Sequence, residues 1–435
     1  MATARPANAS SRSYPVISKA DPGFKRLSVV GLGYVGLPTA AIFAYRGLDV
    51  LGVDINIEIV ELINQGKVHL VEPDLDKMVH DAVGAGKLRA ATEPEPADAF
   101  ILAVPTPFTD DRKPDLSHLQ AATESLKGVL KKGDLIVVES TVPVGATESL
   151  SAWLSDLCSG LSFPHETGAE ADIMIAHSPE RVLPGHVIRE LTQNDRVIGG
   201  ISPRCGERAA ALYRFVVEGE CLLTTAPTAE LVKLSENAYR DVNIAFANEL
   251  SVICDRLGID VWEAVELANH HPRVNVLQPG PGVGGHCIAV DPWFIVDSAP
   301  DDTGLIRAAR KVNDAKPHHL AGRIVEHARD LKDPVIACLG LAYKADIDDL
   351  RESPAITVVR ELAGADVGEI LAVEPHVDAL PPALDNLDNV TKASLEEALE
   401  KADVVVLLTD HRAFKDVPRK RLEGKRVFDA RGVWR

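Results

Sequence analysis

The segment PGPGVGGHCIAVDPW, residues 279–293, sets a single thiol, Cys287, among four glycines and three prolines, with Asp291 four residues after it. A cysteine thiolate adds to an aldehyde to give a thiohemiacetal. Removing a hydride from that adduct gives a thioester that water hydrolyses, so one thiol could help carry an alcohol through to a carboxylate. The same thiol could instead be a small buried apolar residue, the commoner fate of cysteine outside disulfides. Upstream, Lys233 and Asn237 are spaced i, i+4, which puts them on one face of a helix. A lysine beside a carboxamide can support an oxyanion, or move a proton once the lysine is tuned. From spacing alone, a solvated lysine beside a surface amide is the favoured reading. His286 next to Cys287 hints at a metal, but no further ligands lie at metal-site spacing, and none is expected.

Gly31-x-Gly33-x-x-Gly36 follows an apolar run and opens a helix-like one. Asp54 ends the next β-type run, 54 − 31 = 23 residues on. The glycines allow a tight turn and close approach of backbone to a pyrophosphate seated on the helix N-terminus. An acid at that distance suits the two ribose hydroxyls and repels a 2′-phosphate, so NAD is expected rather than NADP.

These residues need elements to position them. RLSVVGLGYVGLPTAAIFAYRGLDVLGVDIN reads as strand, glycine turn, helix and strand. Further β-type runs follow at AFILAVPTP, DLIVVEST and DIMIAHSPE, separated by helix-length stretches. That alternation predicts a parallel sheet with crossover helices, a Rossmann-like domain over 26–222. From about Thr228 to Asn269 only helical periodicity remains, which predicts a helical middle region over 223–328. The alternation returns in PVIACLGLAY, EILAVEP, ADVVVLLTD and RVFDAR, predicting a smaller α/β domain over 329–435.

The chain has 435 residues, 46% of them apolar and 25% charged, which fits a soluble enzyme of two or three domains. Its 46 basic and 64 acidic side chains give a net charge of −18. Such a surface argues against nucleic acid or an anionic membrane as main partner, yet leaves room for a cleft lined with arginines. No run approaches a membrane span. Residues 1–25 lack the apolar stretch of a secretory signal and read as a flexible tail. Six scattered cysteines without a C-x-x-C pair suggest a reduced, cytoplasmic setting.

VVGLGYVGLP, VPTP, ESTVPVGAT, SPERVLPG, KLSENAYRDVNIAFANEL, GPGVGGHCIAVDP, GLAYKADIDDLRESP and FDAR together resemble the nucleotide-sugar 6-dehydrogenase family, the UDP-glucose and GDP-mannose dehydrogenases. The likeness runs from about Leu27 to Trp434. It implies an N-terminal NAD domain, a central helical dimerisation domain and a C-terminal domain for the UDP moiety of a UDP-sugar. It makes Cys287 the nucleophile, Lys233 and Asn237 the oxyanion support with Lys233 also in proton transfer, and Asp291 a group that orients water or the lysine. Glu180, with a water near Thr141, matches an acid/base position. Tyr34, Val35, Asp54, Thr106, and Thr147 or Thr141 match cofactor positions, as does Arg351. Arg181, Val182, Arg240, His271, Arg273, Gly284, Tyr343, Lys344 and Arg431 match positions around the UDP-sugar, with Arg273 reaching across a dimer interface. Glucose-type members carry apolar and acidic residues where this chain has Arg181 and Pro184, which implies an N-acetylated sugar.

Other classes fit less well. A β-hydroxyacid dehydrogenase shares the Lys-x-x-x-Asn pair but leaves Cys287 and the second α/β unit without a role. A short-chain dehydrogenase or epimerase needs Tyr-x-x-x-Lys, and none of the six tyrosines has a lysine four residues on. A non-catalytic nucleotide-binding regulator would leave several separate chemical motifs unused.

Overall fold

The structure is a computed structural model; it describes residues 23–435 except Val71, Asp110, Leu183, Pro184 and His286. Nearly all of the expected tail, and the Pro184 and His286 of the readings above, therefore lie outside the described residues. The chain divides into two compact units, the second running Ser235–Arg435.

The first unit holds an eight-stranded sheet. Its strands are β1 (Arg26–Val30), β2 (Asp49–Val53), β3 (Leu88–Ala91), β4 (Ala99–Leu102), β5 (Leu135–Val138), β6 (Met174–His177), β7 (Arg196–Gly200) and β8 (Cys221–Thr225). Their order is β3-β2-β1-β4-β5-β6-β7-β8. Strands β1, β4, β5 and β6 are apolar runs buried on both faces, as a parallel sheet between helices requires. Chain direction reverses at the β6–β7 pair, which is antiparallel. The expected all-parallel sheet is thus mixed toward its far edge. The order turns back on itself at β1, where β2 and β4 flank it, and this switch point opens a crevice at the strand carboxyl ends.

The second unit combines the helical region with a five-stranded parallel sheet. Its strands are β9 (Val335–Leu339), β10 (Glu369–Val373), β11 (Val390–Lys392), β12 (Val404–Leu407) and β13 (Arg426–Asp429), in the order β11-β10-β9-β12-β13. The helix Gly304–Ala328 sends Leu320, Ala321, Ile324 and Ala328 into one core with β9, β10, β12 and the helix Pro354–Gly364. That shared apolar core is why the helical middle and the C-terminal sheet pack as one unit. The helix Ala226–Leu257 begins in the first unit and continues through the second.

Candidate active site

The turn after β1 has the geometry a dinucleotide needs. Gly31 has φ of 91°, and a Cβ there would lie 2.6 Å from the Ala103 carbonyl oxygen. A Cβ on Gly36 would meet the Gly31 oxygen at 1.7 Å, so helix and strand close only over glycine. At Gly33 the space within 4 Å of such a Cβ is empty, which leaves room for phosphate. The helix Gly36–Tyr45 follows, with no side chain capping its N-terminus. Asp54, after β2, accepts from the Leu32 amide at 2.9 Å and the Asn56 amide at 2.9 Å. It stays half-exposed, with lone pairs left for ribose hydroxyls. Tyr34 and Val35 flank this turn, Tyr34 exposed. These residues fit NAD.

Across the crevice, Thr106 donates to the Thr141 carbonyl at 2.5 Å, tying the loops after β4 and β5. Thr141 is half-buried, whereas Thr147 is fully buried. The Thr147 hydroxyl donates to Glu230 Oε1 at 2.5 Å, and Glu230 also accepts from the Gly145 and Thr147 amides at 2.7 and 2.8 Å. Thr147 therefore serves the N-terminus of the helix Ala146–Leu157, and of the two threonines Thr141 is the one left open to a ligand. Glu180 follows β6 and is buried. Its Oε1 accepts from the Arg181 amide at 2.5 Å, and its Oε2 has no hydrogen-bond partner among the described residues. Arg181 turns its guanidinium to the Asp195 carbonyl at 2.5 Å, and Val182 is half-buried.

Lys233 is half-buried and Asn237 buried, one turn apart on the helix Ala226–Leu257. Asn237 Nδ2 donates to Asp291 Oδ2 at 2.6 Å. Asp291 in turn donates its backbone N–H to the Cys287 carbonyl at 2.8 Å, so Asn237, Asp291 and Cys287 share one turn of structure. The glycines before Cys287 are needed for close approach. A Cβ on Gly282, where φ is 144°, would come 2.8 Å from Pro354, and one on Gly284 would come 2.5 Å from the Glu352 carbonyl oxygen. One on Gly285 would strike the Tyr343 ring at 2.8 Å, and one on Gly280 the Arg431 guanidinium at 2.7 Å. The Gly285 amide donates to the Arg351 carbonyl at 3.2 Å. Asn248 fixes the loop's other end by accepting from the Gly280 amide at 2.9 Å.

Gly284, Tyr343, Arg351 and Arg431 thus gather around the thiol loop, with Lys344 exposed beside Tyr343. Arg431 Nε donates to Asp410 at 3.1 Å; burial alone would raise the Asp410 carboxyl, but Arg431 and Lys415 hold it below its ordinary value. Arg351 pairs with Asp349 at 2.6 Å. Arg240, His271 and Arg273 are all exposed.

Glu230, Asn248 and Asp410, which motif reading did not single out, hold backbone amides or a cation beside the residues that it did. Each is a lone polar residue in sequence, and each acquires its role only by meeting a backbone amide or a cation far along the chain. Asp346, His376 and His411 stand close enough to hold a metal. Both His411 ring nitrogens are already engaged, however, Nδ1 with the Asp346 amide at 2.9 Å and Nε2 with Glu374 at 3.0 Å.

The glycine turn of the first unit has the geometry of a dinucleotide-binding site. Residues 25–217 match the NAD binding domain of the UDP-glucose/GDP-mannose dehydrogenase family, 227–315 its central domain and 337–435 its UDP binding domain. The chain belongs to this family and is an NAD-dependent nucleotide-sugar dehydrogenase. It is 59% identical to an NDP-N-acetyl-D-galactosaminuronic acid dehydrogenase of Ralstonia solanacearum, over 94% of this chain and 96% of that one. It is 56% identical to a UDP-N-acetyl-D-mannosamine dehydrogenase of Campylobacter jejuni, over 91% and 97%. The solved UDP-D-ManNAc dehydrogenase of Pyrococcus horikoshii superposes with a TM-score of 0.83 at 39% identity, covering 94% of this chain and 96% of that one. No described helix is long and apolar enough to cross a membrane.

Proposed function

We propose that this chain oxidises C6 of a UDP-N-acetylhexosamine, UDP-N-acetyl-D-mannosamine first among them, to the uronate in two successive steps on one thiol. The observation that carries this reading is the Asn237–Asp291–Cys287 assembly, held by a loop that only glycine can form. NAD supplies the hydride acceptor for each oxidation. Glu180, acting through a water near Thr141, takes the C6 hydroxyl proton as the aldehyde forms. Cys287 Sγ then bonds to the aldehyde carbon, while Lys233 and Asn237 hold the developing oxyanion. Loss of the second hydride from this thiohemiacetal leaves a thioester on Cys287. Water attacks it, the C–S bond breaks, and the sulfur leaves as thiolate. Asp291 keeps Asn237 turned to the reacting carbon.

Tyr343, Lys344 and Arg431 would hold the UDP end, with Arg181 and Val182 at the sugar. Domain boundaries at 26–222, 223–328 and 329–435 follow the same reading. The helix Ala226–Leu257 exposes Tyr239, Phe246, Ile253 and Leu257, spaced seven, seven and four residues apart. That stripe supports a homodimer in which Arg240, His271 and Arg273 complete the partner's site.

A second reading has one specific support: the Ralstonia relative at 59% identity is named for N-acetyl-D-galactosaminuronic acid. NADH release measured with UDP-N-acetylmannosamine, UDP-N-acetylgalactosamine, UDP-N-acetylglucosamine, UDP-glucose and GDP-mannose separates the two, the highest kcat/KM naming the sugar. Two NADH per sugar consumed are expected, and one NADH with free aldehyde would sink the thioester route. Cys287→Ser should lose the overall oxidation while still binding NAD and UDP-sugar.

A further inference from the structure

Behind Glu180 lies a buried charge cluster that the reaction as described does not use. Arg196, the first residue of β7, is buried, and its Nε donates to Ser178 Oγ at 2.8 Å. Its Nη2 pairs with Glu139 Oε1, and the guanidinium lies 4.1 Å from the centre of the Tyr213 ring. Glu139, after β5, is almost wholly buried and accepts two more hydrogen bonds, from Tyr213 OH at 2.7 Å and Thr39 Oγ1 at 3.1 Å. The same Nη2 stands 3.6 Å from Glu180 Oε2, the oxygen left without a hydrogen bond. Two carboxylates therefore face one guanidinium: Glu139 is saturated by donors, whereas Glu180 is anchored through Oε1 by the Arg181 amide and turns an oxygen without a hydrogen bond, Oε2, to the charge.

We propose that Arg196 is a positioning residue for the proton-accepting carboxylate of Glu180, with Glu139 and Tyr213 fixing the guanidinium that faces it. The proposal rests on the reading of Glu180 as the base. A guanidinium buried without a counter-ion would be costly, and Glu139 supplies that counter-ion. Arg196 sits 3.6 Å from Glu180 Oε2, beyond a good hydrogen bond, so its charge attracts the carboxylate without occupying the oxygen that must receive a proton. A tight bidentate pair would place the carboxylate equally well and blunt it as a base.

The charged and titratable groups of the cluster come from every element around it: Glu139, Glu180, Arg196, Tyr213, His177, Cys221 and the neighbouring Arg181. Burial lowers His177 to about 3 and raises the Tyr213 phenol and the Cys221 thiol, so all three stay neutral near pH 7. Arg196 stays charged. The acid limb of kcat is thereby left to the carboxylates. A base must be ionised, so activity falls as pH drops through its pKa, and removing a nearby cation moves that fall to higher pH.

The test is the pH profile of kcat and KM in four forms of the full enzyme, with thermal unfolding followed in each. Glu180→Gln should abolish the acid limb, marking the limb as that of Glu180. The paired Arg196→Met/Glu139→Gln variant removes both charges together. It should shift the limb to higher pH and lower kcat at neutral pH tenfold or more, with KM for NAD changed less than twofold. If the pair does not fold, Glu139→Gln alone decides: with the counter-anion gone and Arg196 kept, the limb should move to lower pH. A limb lost in Glu180→Gln but unmoved in the deciding variant overturns the role of Arg196 and leaves Glu180 in place. A wild-type profile in Glu180→Gln removes Glu180 from the reaction, and the Arg196 assignment with it.

Discussion

Asp54 illustrates how much one carboxylate can carry. It closes the turn by accepting from Leu32 and Asn56, and it stays half-exposed with lone pairs to spare. Asp54→Asn keeps the shape but sets an NH2 against one of those amides and removes the charge that repels a 2′-phosphate. The expected result is a rise of about tenfold in KM for NAD, from the loss of charge-assisted hydrogen bonds. The ratio of kcat/KM for NAD over NADP should shrink as well. An unchanged ratio would refute the role given to Asp54. This residue was legible in the sequence because its spacing from the glycines is a local property of strand, turn, helix and strand. That Asn237 and Asp291 meet beside Cys287 was not local in this way, since Asn237 and Asp291 lie 54 residues apart. The Arg196–Glu139 pair was not: the partners lie 57 residues apart, and each alone is an ordinary charge. Thr147 shows the converse. Its motif placed it near the cofactor, but a carboxylate on another helix claims its hydroxyl.

Two helices supply the scaffold behind the thiol loop, and their shared face is polar rather than apolar. Arg310 and Asn313 on the helix Gly304–Ala328 hold Asp241 on the helix Ala226–Leu257, at 2.5 and 2.8 Å. Asn248 bonds Asn313 at 2.9 Å and passes its own oxygen to the Gly280 amide, so loop position is set through this chain. One turn further, Lys316 is buried and donates to Ser251 Oγ at 2.7 Å. Burial lowers Lys316 to about 8 from 10.5, with Asp255 opposing and Arg323 assisting. The folded state therefore holds its proton less tightly than the unfolded chain does. The resulting penalty is full below pH 8 and fades as pH rises toward 10.5. Lys316→Met should relieve it at neutral pH, by at most about 3 kcal/mol for a shift of 10.5 − 8. Denaturant unfolding of both proteins at neutral and alkaline pH checks this, and a gain that stays constant between them would refute it. The helices themselves were readable from periodicity, and the central strands from apolar runs. Strands β3 and β11 were not, being short and partly exposed with no such run, and β7 and β8 were not singled out either. Nor was the reversal at β6–β7, since strand direction leaves no mark in local sequence.

At the scale of the whole molecule, a chain of net charge −18 repels its own copies, so the homodimer proposed above would have to form through apolar contact. Tyr239, Phe246, Ile253 and Leu257, 71, 57, 47 and 64% exposed, are a heptad-like seam without a partner in the single chain. Phe246→Glu should convert dimer to monomer in sedimentation, and activity should fall with it if Arg273 acts across the interface. Arg273 is exposed on its own chain, and its backbone N–H donates to His271 Nδ1 at 3.3 Å. An arginine anchoring an anionic sugar nucleotide contributes charge-assisted hydrogen bonds of about 1.5–3 kcal/mol, so Arg273→Ala should cost tenfold or more in kcat/KM and leave NAD affinity nearly unchanged. Arg273→Ala and Cys287→Ser proteins are each expected to be poorly active alone. Mixed under conditions of subunit exchange, they form heterodimers in which one of the two sites has both residues intact, so activity should return toward a fraction of wild type. Failure to complement, with exchange shown by differently tagged chains, would put Arg273 in its own subunit's site, and an unchanged kcat/KM in the single variant would take it out of the site altogether.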